Sequence, residues 1–318
     1  MTGKTALLLV NTGSPEAPTP EALAPYLKEF LSDRHIVDLP PWIWGPILSG
    51  IIIPRRKAIS AERYAAIWTQ KGSPLLVATQ KTAECLQNGL GKDFSVFWAM
   101  CYGRPSVPEV LQIIYATDPK RLLLLPLFAQ EASQTRGAVI DAVKQSLQCA
   151  GSRLSLSIIP PWFDRPEYIA ALALSVRKRD IDLSRTRLIV SFHAVPVKNS
   201  GTYRHQCEIT VRLLERELGL RSGSVLLAFQ SKFGFGRWLE PSLQSVLTQE
   251  AQGGNASVAV LCPGFCADCL ETLEEIDRTE RQAFLAQGGK KFTYIPALND
   301  SPEALILYAR LARDALAG

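Results

Sequence analysis

Long apolar runs are missing from this sequence. None approaches the roughly 18 to 20 consecutive apolar residues that a membrane span requires, so spanning helices are not expected. A secretory leader is not expected either: "MTGKTALLLVNTG" has one Lys and a short apolar run, but Asn11 and Gly13 stand where a cleavage site should be. Blocks of like charge are absent. The 35 Lys and Arg mix with 30 Asp and Glu for a net charge of +5, which gives nucleic-acid binding little support and leaves only a mild field for an anionic ligand or membrane surface. The glycine-rich G-x-G-x-x-G turn is missing as well, because the first turn after a strand reads "NTGSPEAPTP", so a dinucleotide site is unsupported. Histidine is scarce, at three residues. The seven cysteines are odd in number and widely spaced, which excludes a disulfide framework and points to reduced thiols and a cytoplasmic setting.

What is present is an alternation of strand-like and helix-like segments. Hydrophobic content of 47% with 20% charge describes a globular chain without long disorder. Eight apolar runs read as strands: 5–11, 94–100, 121–127, 154–160, 187–193, 224–230, 257–263 and 292–297. Amphipathic segments separate them, such as "TPEALAPYLKEFLSD", with Thr19 as N-cap and Pro20 at the first helical position. Continuous apolar strands joined by helical crossovers imply parallel sheets covered on both faces, hence an α/β fold. "LLLVNTGSP" and "LIVSFHAVP" share one pattern of strand, polar break and proline, as if two similar halves each began this way. The expectation is two Rossmann-like, doubly wound domains with a cleft between them. The break falls around 160 to 185 and is set at 1–165 and 166–318, with the last helix packing back on the first domain.

One segment interrupts the alternation. "PPWIWGPILSGIIIP", about 40–54, carries two tryptophans and five isoleucines, but its Pro and Gly argue against a long helix. Its plain reading is core packing. The sharper reading is an exposed apolar lip built from Trp42, Trp44, Ile47 and Ile51, able to hold a greasy ligand or rest on a membrane, with Arg55, Arg56 and Lys57 directly behind it.

Two strand ends carry chemistry-bearing residues. His193 stands where Leu188, Ile189, Val190 and Phe192 run out and before Pro196 stops the ladder, at the carboxyl end where open α/β sheets bind ligands. On position alone, a satisfied structural histidine is as good a reading. "VLCPGFCADCLETLEEIDRTE" closes a strand at Pro263-Gly264 and opens an acid-rich helix near Asp268. Glu274 and Asp277 suit an ordinary solvated first turn, while Glu271 sits closer to the strand end. Cys262, Cys266 and Cys269 form C-x3-C-x2-C, yet a structural metal usually needs a fourth ligand, such as Cys207, so buried thiols are the default.

Together, "LVNTGSPEAPTPEALAPYLKEFLSD", "AERYAAIW", "GSPL", "SFHAVP", "FQSKFG" and "PGFCADCLETLEEI" resemble the ferrochelatase family, lyases that insert ferrous iron into a porphyrin to make haem. The likeness runs from Leu7 to "IPALNDSPEAL", and the ordered set resembles the proteobacterial branch most. The resemblance implies porphyrin and Fe²⁺ as substrates and His193 and Glu271 as a catalytic pair facing each other across the cleft, 78 residues apart in sequence. An imidazole suits removal of two pyrrole protons near neutral pH and can be the first metal contact. Glu271 would hold the imidazolium, and Glu275 would extend the metal-binding acid track, whose next step falls on Thr279. Thr12, Tyr64, Ser73, Tyr102 and Phe265 would line the ring, which the family binds distorted. The lip would be the porphyrin entrance, giving peripheral contact with the inner face of the membrane. Iron–sulfur-bearing members use cysteines beyond the last helix. None follows Cys269 here, so no [2Fe–2S] cluster or other cofactor is expected.

Departures from the family pattern keep other readings open. Thr12 replaces a bulkier residue, Cys101 replaces an Arg, Cys269 stands where many relatives have His, and "FAQEASQT" replaces aromatic and hydroxyl groups at Ala129, Glu131, Ala132 and Gln134. Losing the Arg removes a charge-assisted contact to a substrate carboxylate. A catalytically weak porphyrin or haem carrier, and a chelatase for another metal or tetrapyrrole, therefore stand beside the main reading.

Overall fold

The computed structural model describes residues 4–232, 236–254 and 257–317. The chain divides into two compact units. The first comprises Met1–Leu127, Ser133–Pro160 and Leu305–Gly318; the second comprises Phe128–Ala132 and Pro161–Ala304.

In the first unit, β1 (Thr5–Ser14), β2 (Phe94–Gly103), β3 (Arg121–Pro126) and β4 (Ser155–Ile158) form a parallel sheet ordered β2-β1-β3-β4. In the second, β5 (Arg187–His193), β6 (Leu226–Gln230), β7 (Ser257–Leu261) and β8 (Lys291–Ile295) repeat the pattern as β6-β5-β7-β8. The α/β class is as the sequence implies. The echo between "LLLVNTGSP" and "LIVSFHAVP" has a structural meaning: β1 and β5 hold the same interior place in their sheets. Their apolar runs follow from that place, because a strand with helices on both faces buries every side chain. Leu7, Leu8, Leu9, Val10, Ile189 and Val190 are all fully buried.

Gly13 shows how tightly β1 meets β2. It has φ +124°, and a Cβ placed there would lie 1.8 Å from the Tyr102 carbonyl oxygen. Only glycine fits.

The segment after the first helix departs from expectation. Pro41–Ile47, Leu48–Ile52 and Ile53–Ile67 run on as one helical stretch despite Pro46, Pro54, Gly45 and Gly50. The Leu48–Ile52 turns are π-helical, with the Ile53 N–H reaching back to the Leu48 carbonyl. That wider turn accommodates Pro54, which lacks an N–H and would crowd a regular turn. On this stretch Trp42 is 77% exposed and Ile51 is exposed, whereas Trp44 and Ile47 are half-buried and Leu48 and Ile53 are buried. Trp44 Nε1 donates to the Leu31 carbonyl at 2.6 Å, which ties the stretch to the Pro20–Ser32 helix. Among the described residues, no helix is long and apolar enough to cross a membrane.

Candidate active site

The site of interest in the second unit lies where β5, β6 and β7 end. β5 pairs with β6 so that His193 stands beside Gln230, and β5 also pairs with β7, with Val190 beside Leu261. The loop leaving β7 therefore emerges next to His193. It leads through Pro263 to Cys269 into Leu270–Glu280, eleven residues wound entirely as a π-helix.

His193 has a fixed tautomer. Nδ1 lies 2.7 Å from the Ala194 carbonyl oxygen, which can only accept, so the neutral ring carries its proton on Nδ1 and keeps its lone pair on Nε2. The Tyr203 hydroxyl donates to the His193 carbonyl at 3.0 Å and holds the strand end from below. Phe265 faces the imidazole with ring centroids 6.5 Å apart.

The π-helix is held down by its buried face. Thr272 and Ile276 are fully buried, and Ile276 joins the core formed by Ile189, Val258, Val260, Phe284 and Phe292. Burying one such isoleucine contributes about 1.5–3 kcal/mol. With Thr272 and Ile276 inward, Glu271 and Glu275 occupy the adjacent, half-buried face. The Cys269 N–H donates to the Thr272 hydroxyl at 3.0 Å, and Asp268 accepts from Tyr294, Thr272, Asn299 and the Ala297 N–H, which fixes the entry to the helix.

Two residues at the end of β6 tie the end of β5 and the acid-bearing helix together. Gln230 Nε2 donates to the Glu271 carbonyl at 3.3 Å, while the Gln230 carbonyl accepts from the Ala194 N–H at 2.7 Å. The Ser231 hydroxyl donates to Glu275 Oε2 at 2.7 Å. Burial pushes Glu275 above the usual carboxylate range; the Ser231 hydroxyl pulls it down, the negative Glu271 pushes it up, and His193 pulls it down again. His193, Glu271 and Glu275 thus share one electrostatic environment. Gln230 and Ser231 went unnoticed as site residues in sequence, although "FQS" directly ends an apolar strand. The neighbouring Phe233 and Gly234 of "FQSKFG" lie outside the described residues.

The winding corrects two expectations. A π-helix turns once in about 4.4 residues, so the step after Glu271 and Glu275 falls on Glu280 rather than Thr279. Glu280 is pushed up by burial and by the charge of Glu275, while the Thr279 hydroxyl donates to Glu274 Oε1 at 3.1 Å. Glu274 is 8% exposed, not a solvated first-turn acid. Asp277 is half-buried and pairs with Arg281 one turn on. Among the described residues no three His, Cys, Asp or Glu side chains converge as a ready metal cage. His193, Glu271 and Glu275 are therefore not a closed ligand set: the carboxylates are strung one helical turn apart.

The matching family model is Ferrochelatase, over residues 4–316. The chain belongs to the ferrochelatase family. A ferrochelatase of Azoarcus sp. strain BH72 is 43% identical, over 98% of this chain and 88% of that one. One from Yersinia enterocolitica is 40% identical over 98% of both. Among solved structures, SirB from Bacillus subtilis with Fe³⁺ shares 11% identity and a TM-score of 0.60, over 98% of this chain and 95% of that one, which shows the common fold.

The remaining sequence candidates lie in the first unit. Tyr64 is buried and joins an aromatic array with Tyr26, at 6.4 Å between centroids, and Trp68, at 6.1 Å. Tyr102 belongs to the same array through Phe30, 5.1 Å away and edge-on. Ser73 is buried at the start of the Pro74–Leu90 helix, and the half-buried Thr12 follows Asn11, whose side chain accepts from the Thr12 N–H. In the second unit, Ala129 and Ala132 of the divergent loop are buried, and the intervening Gln130 donates to Thr210 at 3.3 Å.

Proposed function

We propose that the chain inserts Fe²⁺ into protoporphyrin IX to form protohaem, with release of two protons. The observation that carries this reading is the pairing of a tautomer-fixed imidazole, His193, with the half-buried acids of one π-helix. Nε2 is the free base and its one lone pair acts in turn: it meets the metal first, then takes the two pyrrole protons one after the other, passing each to solvent along the acids. Glu271 holds the imidazolium that forms. Burial and the charge of a neighbouring carboxylate make ionised Glu275 and Glu280 costly, and an arriving dication relieves that cost, so the acids form a path for iron. Phe265 supplies an apolar wall beside the base, and Thr12, Tyr64, Ser73 and Tyr102 are the first unit's candidates for contact with the ring.

Iron is the substrate in this reading, and no resident cluster takes part. Burial pushes the thiols of Cys207, Cys262 and Cys269 well above their ordinary range, which keeps them protonated, and Cys262 donates to the Gln230 side chain at 3.2 Å. The exposed Trp42 and Ile51, with Arg55, Arg56 and Lys57 behind them, support peripheral contact with the cytoplasmic face of a membrane.

The test is an anaerobic assay of the purified chain with Fe²⁺ and protoporphyrin IX, following the absorbance of the product, with Co²⁺, Zn²⁺ and corrin precursors in parallel. Protohaem formation is expected. Tight porphyrin binding without insertion, or faster turnover on another tetrapyrrole, contradicts the reading.

A further inference from the structure

A second titratable constellation lies in the first unit, away from His193. The Tyr102 hydroxyl donates to Asp33 Oδ2 at 2.8 Å. Asp33 Oδ1 accepts from the His35 backbone N–H at 2.7 Å and lies 2.9 Å from His35 Nδ1. The other ring nitrogen, Nε2, lies 3.3 Å from Asp141 Oδ2. The imidazole packs beside Gly137, where a Cβ would meet it at 3.5 Å, with the Ser133 hydroxyl alongside. One histidine thus joins the residue ending the first helix, strand β2 and the Ala138–Cys149 helix.

The protons can be placed from chemistry alone. Burial keeps the Tyr102 phenol far above its ordinary range, so it remains a donor. Burial would raise Asp33, but the hydrogen bonds from the His35 backbone, Tyr102 and the imidazole outweigh it and hold the carboxyl below its ordinary range, so it accepts. Nδ1 must then carry a proton. In neutral His35 this leaves the Nε2 lone pair facing a carboxylate, an unfavourable contact. Protonation turns it into a donated hydrogen bond to Asp141. The other groups on this side are Cys101, which feels the charges of Asp33 and Glu29, and Glu29 itself, which accepts from the Gly103 N–H. Arg34, next in sequence, pairs with Asp38 instead.

We propose that Asp33 and His35 are positioning residues for Tyr102, and that the charge on His35 sets how firmly this ring is held against a tetrapyrrole. The proposal rests on the reading of Tyr102 as a ring contact. Asp33 occupies the phenol hydroxyl, so Tyr102 offers substrate its ring and not a hydrogen bond. Protonated His35 braces Asp33 against the Ala138–Cys149 helix through Asp141. With a neutral ring the Asp141 contact is lost, the brace loosens, and porphyrin affinity falls. The side chain of Asp141 is 64% exposed, so the effect is bounded by what an exposed ion pair contributes, about two- to five-fold.

The test is metal-free binding of protoporphyrin IX to the full chain by fluorescence quenching, from about pH 6 to about pH 8, the range over which histidine charge changes. In the wild type the Kd is expected to rise about two- to five-fold across this range. His35→Arg, which keeps a cation at every pH, is expected to hold the low-pH affinity throughout. Asp141→Asn, a surface change that does not threaten folding, is expected to lie near the wild-type high-pH value at all pH. All groups other than the substituted one are common to the three proteins, so the difference in slope isolates His35. A wild-type slope matched by either variant overturns the proposal while leaving the proposed function intact. No porphyrin binding by the wild type at any pH overturns both.

Discussion

Removing one hydroxyl tests the electrostatics of the acid track. Ser231→Ala deletes the 2.7 Å hydrogen bond to Glu275, the strongest influence holding that carboxyl down against burial and the charge of Glu271. A hydrogen bond to a charged group contributes about 1.5–3 kcal/mol, and a shift of one pKa unit corresponds to about 1.36 kcal/mol. Glu275 retains some solvent contact, so the lower end of that range applies and its pKa should rise by about one unit. The sign follows directly. Glu275 serves in its ionised form, which is lost as pH falls through its pKa, so a higher pKa brings that loss at higher pH. Zinc insertion into protoporphyrin, followed by absorbance across the acid range, should show the acidic limb displaced upward by about one unit, with the plateau little changed. Glu275→Gln, which cannot titrate, should lose that limb. An unmoved limb in Ser231→Ala, or one displaced downward, refutes the assignment of Glu275.

Other expectations follow from the same contacts. Tyr168→Phe removes a buried 2.6 Å hydrogen bond to the Pro263 carbonyl, at the loop that aims the π-helix, and should cost about 1–3 kcal/mol in urea unfolding with an unchanged slope. Glu280→Gln should slow metal insertion at limiting metal more than at saturating metal, whereas Thr279→Ala should leave both unchanged; equal effects would restore the track to position 279. Trp42→Ser should change stability by no more than about 0.5 kcal/mol while reducing flotation with anionic liposomes; undiminished flotation removes the lip from membrane contact.

The fold was open to reading because its strands are buried on both faces. All eight apolar runs are strands, and the repeated pattern at β1 and β5 marks equivalent places in two sheets. His193 was visible as a polar residue ending such a run. The helical stretch 41–67 was not, since Pro and Gly normally break a helix and nothing in a 3.6-residue period announces a π turn. The same blindness put the third step of the track on Thr279, which carries no charge, instead of on Glu280. Glu274 looked solvated because its sequence neighbours are charged, yet the π winding turns it inward. Asp33 and Tyr102 lie 69 residues apart, and only β2, aligned beside β1, brings the phenol to the end of the first helix.

The central claim is that a neutral imidazole at the end of β5 takes the pyrrole protons as the metal enters. It is tested most directly by single-turnover Fe²⁺ insertion in His193→Ala, with porphyrin binding measured on the same protein. Insertion should fall by about 10²- to 10⁴-fold, the range for loss of a general base, while porphyrin still binds. Insertion at the wild-type rate would place the base elsewhere.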